Sequence, residues 1–186
     1  VGATNTGSFR GIFVNRAQIV TNGTGNILLE ATGGDGSNSE AIYLDQALVS
    51  STASGASAGT ITLDGISQST RTIFFTSNAT VSSVDGDVQI TGVTTVGDGI
   101  FFLNGGRVLS TGIGPNAANI NIIGAGSSGG FGLDGGRVQT VDGDVTVTGN
   151  GAIGIGLVGF VDSTGTGPDA GTITLNAGPN SGDGGG

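Results

Sequence analysis

Residues 99–126 read GIFFLNGGRVLSTGIGPNAANINIIGAG. Ile100-Phe101-Phe102 points in, out and in, the period of two that a strand requires. Asn104-Gly105-Gly106 is a cluster of turn residues. Val108 returns to the inside, Leu109 faces out, and Ser110 stands at the next corner. A loop from Thr111 to Ala118 swings outward. Asn119-Ile120-Asn121-Ile122 makes a third strand, and Gly124-Ala125-Gly126 begins the return. Strands of about four residues separated by Gly, Asn, Asp and Ser are too short for a meander of hairpins. They read as one coil whose strands stack on those of the coils before and after it.

The same block comes round six times. The first inward pair of each coil is Ile12/Val14, Ile42/Leu44, Ile73/Phe75, Ile100/Phe102, Phe131/Leu133 and Ile155/Leu157. The third strand carries Ile27/Leu29, Ile61/Leu63, Val88/Ile90, Ile120/Ile122, Val145/Val147 and Ile173/Leu175. Between them lies a middle strand centred on Ile19, Val49, Val81, Val108, Val138 and Val161. The first anchors stand 30, 31, 27, 31 and 24 residues apart, and a recurring period of that size signals a repeat architecture. The expected fold is all-β: a right-handed parallel β-helix, or β-solenoid, of about six three-strand coils with open ends. The hand follows the rule for parallel crossovers. The chain reads as a single solenoid segment over 1–186, with coils starting near 12, 42, 73, 100, 131 and 155. Each coil needs its neighbours to bury its core.

A finer period lies inside the first. The middle and third strands are separated by 8, 12, 7, 12, 7 and 12 residues, so short and long corners alternate. The long ones are Ser51–Gly59, Ser110–Ala118 and Ser163–Gly171. The repeat is thus a pair of coils used three times. At about 4.8 Å per coil the rod is about 29 Å long, with a loop projecting at every second level.

Composition closes several doors. The 186 residues hold 40 glycines, no Cys, no His and no Lys, and the net charge is −9. Zinc ligation, thiol or imidazole catalysis, Schiff-base chemistry and a phosphate-binding P-loop all lose their residues. The acidic balance repels phosphate backbones, so nucleic acid is not expected as a partner. No apolar run approaches the ~20 residues that span a bilayer. The absence of an initiator Met and of a signal peptide reads as a mature or excised segment. A Cys-free, Gly-rich, acidic chain fits an exported bacterial protein, extracellular or on the cell surface.

Several groups of residues are candidates for function. Phe13, Tyr43, Phe74 and Phe101 share the outward position of strand one in the first four coils, where coils five and six carry Gly132 and Gly156. This stripe is expected to be exposed and to serve as a lateral interface between filaments. Thr21, Ser51, Ser83, Ser110, Thr140 and Ser163 form an inward hydroxyl ladder, expected to satisfy itself by hydrogen bonds along the axis. Asp85, Asp87, Asp142 and Asp144, in two Val-Asp-Gly-Asp-Val corners, are weak candidates for calcium. Asp-Gly is also a good corner in its own right, glycine being free to adopt positive φ. No other cofactor is expected. Arg107 and Arg137 recur in Gly-Gly-Arg-Val on adjacent coils and call for anions, either aspartates or a sugar acid. Both ends read as uncapped: Val1 to Gly11 as the tail of an earlier coil, and Asn176 to Gly186 as the return to a next one. Open solenoid ends invite end-to-end association.

The strings Ala47-Leu48-Val49-Ser50-Ser51…Gly59-Thr60-Ile61-Thr62-Leu63 and Val161-Asp162-Ser163-Thr164…Gly171-Thr172-Ile173-Thr174-Leu175 resemble the repeats of filamentous-haemagglutinin-type exoproteins. They are similar also to the large β-strand-repeat surface proteins of bacteria. The resemblance implies secretion, a β-helical shaft, and adhesion or fibre formation. The Asn-Pro motifs of the secretion module in those exoproteins do not occur here.

The leading expectation is therefore a non-enzymatic structural protein, the shaft of an extracellular fibre, matrix or adhesin. The alternative is a β-helix surface module binding carbohydrate, calcium or ice, the last suggested by the outward pairs Thr60/Thr62 and Thr172/Thr174. A polysaccharide-degrading β-helix enzyme ranks last, for want of a base.

Overall fold

The structure, a computed structural model, describes residues 7–178. Coil one comprises β1 (Ile12–Asn15), β2 (Gln18–Thr21) and β3 (Ile27–Thr32); coil two, β4 (Ile42–Asp45), β5 (Leu48–Ser51) and β6 (Ile61–Ser67). Coil three has β7 (Arg71–Thr76), β8 (Thr80–Ser83) and β9 (Val88–Thr94); coil four, β10 (Asp98–Leu103), β11 (Arg107–Ser110) and β12 (Ile120–Ala125). In coil five β13 (Gly129–Thr140) is followed by β14 (Val145–Asn150), and in coil six β15 (Ile153–Ser163) by β16 (Ile173–Gly178). All pairing between coils is parallel. The molecule is a β-solenoid, as its period predicts.

Registry follows the sequence anchors. Ile12, Ile42, Ile73, Ile100, Phe131 and Ile155 are successive partners. So are Ile19, Val49, Val81, Val108, Val138 and Val161. The third column runs Ile27, Ile61, Val88, Ile120, Val145 and Ile173. These columns meet in one continuous core, in which the rings of Phe75 and Phe102 stack at 4.2 Å and Phe131 meets Phe102 edge-on at 5.5 Å.

Four details depart from the sequence reading. In coils five and six the first and middle strands run on as single strands, with a register irregularity between Asp134 and Arg137 in place of a full break. Gly135, at φ 69°, absorbs the bend. The third strands are longer than expected, because the return segments remain paired: Gly124 and Ala125 face Gly149 and Asn150. At the C-terminal end, Asn176, Ala177 and Gly178 belong to β16 rather than to a return loop, and residues 179–186 lie outside the described part. At the other end Gly11 hydrogen-bonds to coil two, and residues 1–6 lie outside the described part.

The fourth correction concerns glycine. Positive φ is used at the first corner, where Arg16, Gln46, Ser77, Asn78 and Asn104 adopt it as well as Gly105 and Gly135. Gly86 and Gly143, in the Asp-Gly-Asp corners, do not have it. They are small because the coils touch there: a Cβ on Gly86 would collide with the carbonyl of Gly59, and one on Gly143 with the carbonyl of Ala118. Gly59 and Gly171 are hemmed in the same way, by Gly25 and Gly143. Gly86→Ala is expected to destabilise the solenoid by about 1–3 kcal/mol, the range for overpacking. Gly23→Ala, at a site with open space around it and no positive φ, is expected to be neutral or stabilising by about 0.4–1 kcal/mol. Urea unfolding of both variants separates crowding from backbone freedom.

Candidate functional site

The outer face of strand one carries two parallel columns. The first is Phe13, Tyr43, Phe74 and Phe101, continued by Gly132 and Gly156. The rings stack at 5.0 and 5.1 Å in the first three coils and tilt at 6.2 Å between Phe74 and Phe101. The second column stands two residues ahead of the inward isoleucine and reads Arg10, Glu40, Arg71 and Asp98, alternating in sign. It continues as Gly129 and Ile153. The Arg10 Nε donates to Glu40 Oε2 at 3.0 Å, which pairs the buried Glu40 carboxylate.

The two columns interlock. The Arg10 guanidinium lies 4.9 Å from the ring of Phe13 and 4.4 Å from that of Tyr43, and Arg71 lies 4.1 Å from Phe74. Cations over ring faces are held by the aromatic quadrupole. This corrects the expectation of a uniformly exposed aromatic stripe: Phe13 is 47% exposed, but Phe74 is 6% exposed. Burial, then the charge of Asp45, raises the Tyr43 phenol above its ordinary value. Burial likewise raises Asp98, and the positive charge of Arg71 draws it back only in part.

The Asp-Gly-Asp corners have a structural role. Asp85 Oδ2 accepts the Gly55 amide at 2.5 Å, and Asp142 Oδ2 accepts the Gly114 amide at 2.7 Å. Both amides lie in the long loops of coils two and four, at glycines with φ of 89° and 84°. Each loop closes the same small turn, Ala58 to Gly55 and Ala117 to Gly114. The second aspartate of each corner reaches the other way. Asp87 Oδ1 accepts the Asn119 amide at 2.9 Å, and Asp144 Oδ1 accepts that of Thr172 at 2.7 Å. Asn26 and Asn119 do the same for Thr60 and Asp144. The four aspartates weighed for calcium thus grip backbone amides of neighbouring coils. Among the described residues no three carboxylates gather into a metal-binding group.

The hydroxyl ladder is inward and buried at Ser51, Ser83, Ser110 and Thr140, but the axial hydrogen bonds expected of it do not form. Those four oxygens have no partner among the described residues. The outward serines beside them do pair between coils, Ser82 Oγ donating to Ser50 Oγ at 3.1 Å. Within the ladder Ser163 alone bonds, to the carbonyl of Val141 at 3.1 Å, and Thr21 stays partly exposed. Of the outward threonines, Thr62 lies between Leu28 and Gln89, whereas Thr174 stacks on Thr146.

Arg107 and Arg137 stack in register. Arg137 Nε stands 3.6 Å from Asp162 Oδ1 and its guanidinium 5.2 Å from the ring of Phe160. With Leu109 and Gln139 they line a cavity of about 300 Å³. A second cavity, of about 340 Å³, opens where the aromatic column gives way to glycine and is lined by Asp98, Phe101, Gly132 and Asp134.

Sequence reasoning missed the alternating charge column and the amide-gripping column. Both stand at a constant offset in the repeat: Arg10, Glu40, Arg71 and Asp98 two residues before the first anchor, and Asn26, Asp87, Asn119 and Asp144 one residue before the third-strand anchor. Comparison with family models, curated proteins and solved structures gave no match. Among the described residues no helix is long and apolar enough to cross a membrane.

Asp85→Ala and Asp142→Ala are each expected to cost about 1.5–3 kcal/mol, the range for a hydrogen bond to a charged group, with no change on adding calcium or a chelator. Thermal melts with and without calcium check this. Asp98 behaves oppositely. Its raised value means that the native state binds a proton more tightly than the unfolded chain, so stability falls as pH rises above the ordinary value of 3.8. Asp98→Asn is expected to melt higher than the parent at neutral pH, the gap narrowing as pH falls toward 3.8 and closed below it. A pH series of melts reads this directly.

Proposed function

We propose that this chain is a shaft segment of a secreted bacterial fibre, matrix or adhesin, a structural and non-catalytic part of the cell surface or its surroundings. The observation that carries the reading is the state of coil six. Leu157, Ile173 and Leu175 are 41%, 39% and 46% exposed, whereas Leu133, Val145 and Val147, their partners in coil five, are at most 1% exposed. The apolar face that coil six presents has the pattern that each inner coil buries against its neighbour. Such a face suits stacking by a further coil in the same register.

Several features suit a mechanical role. Backbone bonds between coils run along the rod axis, for example Val88 N to Asn119 O at 2.8 Å and Val145 N to Thr172 O at 2.8 Å. The long loops are fastened by Asp85 and Asp142, so they project as fixed features rather than as loose strands. Electron microscopy of the native material is expected to reveal filaments. Fibre diffraction from them is expected to give an axial spacing of about 4.8 Å, the distance between coils. Compact isolated particles without that axial spacing would overturn the reading.

A second reading rests on the arginine cavity. Stacked Arg107 and Arg137, with the ring of Phe160 beside them, offer charge and a flat apolar face to a sugar bearing a carboxylate. Binding of uronate oligosaccharides on a glycan array, lost in Arg107→Gln, supports this role; no uronate binding removes it.

A further inference from the structure

The two outer columns of strand one change character between coils four and five. Up to that level, cations and carboxylates alternate in one column while aromatic rings stack in the other. Arg10 and Arg71 lie over the rings, and Glu40 and Asp98 occupy the positions between and beyond them. The next cation in the alternation belongs at coil five. That position is Gly129, and its neighbour in the ring column is Gly132. In place of a side chain the structure has the cavity of about 340 Å³.

The geometry points to this cavity as a binding site for an organic cation, a guanidinium or ammonium group on an alkyl stem, seated against Phe101 between Asp98 and Asp134. The walls suit that ligand and few others. A Cβ on Gly129 would stand 2.6 Å from Asp98 Oδ1, so the carboxylate rests directly on the glycine backbone at one end of the cavity. A Cβ on Gly132 would collide with the ring of Phe101, so this glycine leaves the ring room to lie along the cavity. Asp134 stands two residues beyond Gly132 along β13 and five beyond Gly129, so the two carboxylates stand at opposite ends of the cavity, about 16 Å apart at strand spacing. Among the described residues neither Asp98 nor Asp134 forms an ion pair. Ile153 and Val158 of coil six add an apolar side for the stem.

The protein supplies its own precedent. Arg71 on Phe74, next in column to Asp98, is the same arrangement two coils below. A cation over a ring with a carboxylate beside it combines quadrupole attraction with a charge-assisted hydrogen bond. A bare calcium ion is a poor fit, since it takes 6–8 oxygen ligands and the cavity presents two carboxylates on largely apolar walls. The inference stands apart from the fibre reading, because the site lies on the side of the rod and holds whether or not coils continue beyond it.

Two sources share this chemistry: a free alkylguanidine or amine, and an arginine side chain of a neighbouring protein. The test is titration of the isotopically labelled chain, followed by amide resonances, with agmatine for the first source and a blocked arginine peptide for the second. Neutral N-butylurea serves as the shape control. Saturable shifts centred on Gly129, Gly132 and Gly156 are expected with the cations and not with butylurea. Tighter binding of agmatine assigns the free ligand, and tighter binding of the peptide assigns the side chain. Asp98→Asn and Phe101→Leu are each expected to weaken binding about tenfold, the loss of one charged hydrogen bond or one ring contact. Asp134→Asn, at an exposed position, provides a further variant that leaves the core untouched. Shifts spread over the acidic loops, equal shifts with butylurea, or undiminished binding in both Asp98→Asn and Asp134→Asn overturn the proposal. Such results leave only general attraction of cations to an acidic rod.

Discussion

Vertical registry between coils is the constraint on which the rest of this molecule depends. Each inward side chain must meet a like side chain one coil above and one below, at the spacing fixed by backbone hydrogen bonding. A one-residue slip would turn the whole apolar set of a strand outward. That is why Ile42, Ile73 and Ile100 recur at one level position and why Phe75 lands flat on Phe102. It also explains the glycines. Where coils bring carbonyl groups together at the second corner, only hydrogen fits beneath them, and Gly59, Gly86, Gly143 and Gly171 are selected by contact rather than by torsion.

Registry then organises the polar residues. A side chain that recurs at one offset becomes a column, and its chemistry is set by its neighbours in that column. Like charges would repel, so the outer column of strand one alternates Arg10, Glu40, Arg71 and Asp98. Amide-accepting side chains recur before the third strand, where Asn26, Asp87, Asn119 and Asp144 each take an N–H of the coil above. The pairing of coils follows from the same logic. An Asp-Gly-Asp corner on an odd coil holds the long loop of the even coil beneath it through its first aspartate. Long and short corners must therefore alternate.

Function, in this view, lies where the columns break. The core columns run without interruption from coil to coil. The outer aromatic column stops at Phe101, and the cavity opens at Gly132. The stacked pair Arg107 and Arg137 is a second break, with two like charges on adjacent levels and one carboxylate, Asp162, to answer them.

The sequence by itself determined the fold, the level of every coil and the inward residue at each anchor. Period and alternation are one-dimensional properties, and stacking converts them directly into contacts. It also placed Asp85 and Asp142 at corners and Ser83 and Ser110 inside. Only the tertiary structure decided what those residues do, because that depends on distances between coils and on which way a side chain leans. It set the aspartates on backbone amides of neighbouring coils, left the buried hydroxyls without partners, and laid Arg71 over Phe74. It joined the first two strands in coils five and six, leaving only a register irregularity between Asp134 and Arg137. A repeat states which residues are neighbours; the space between coils decides which of those neighbours can touch.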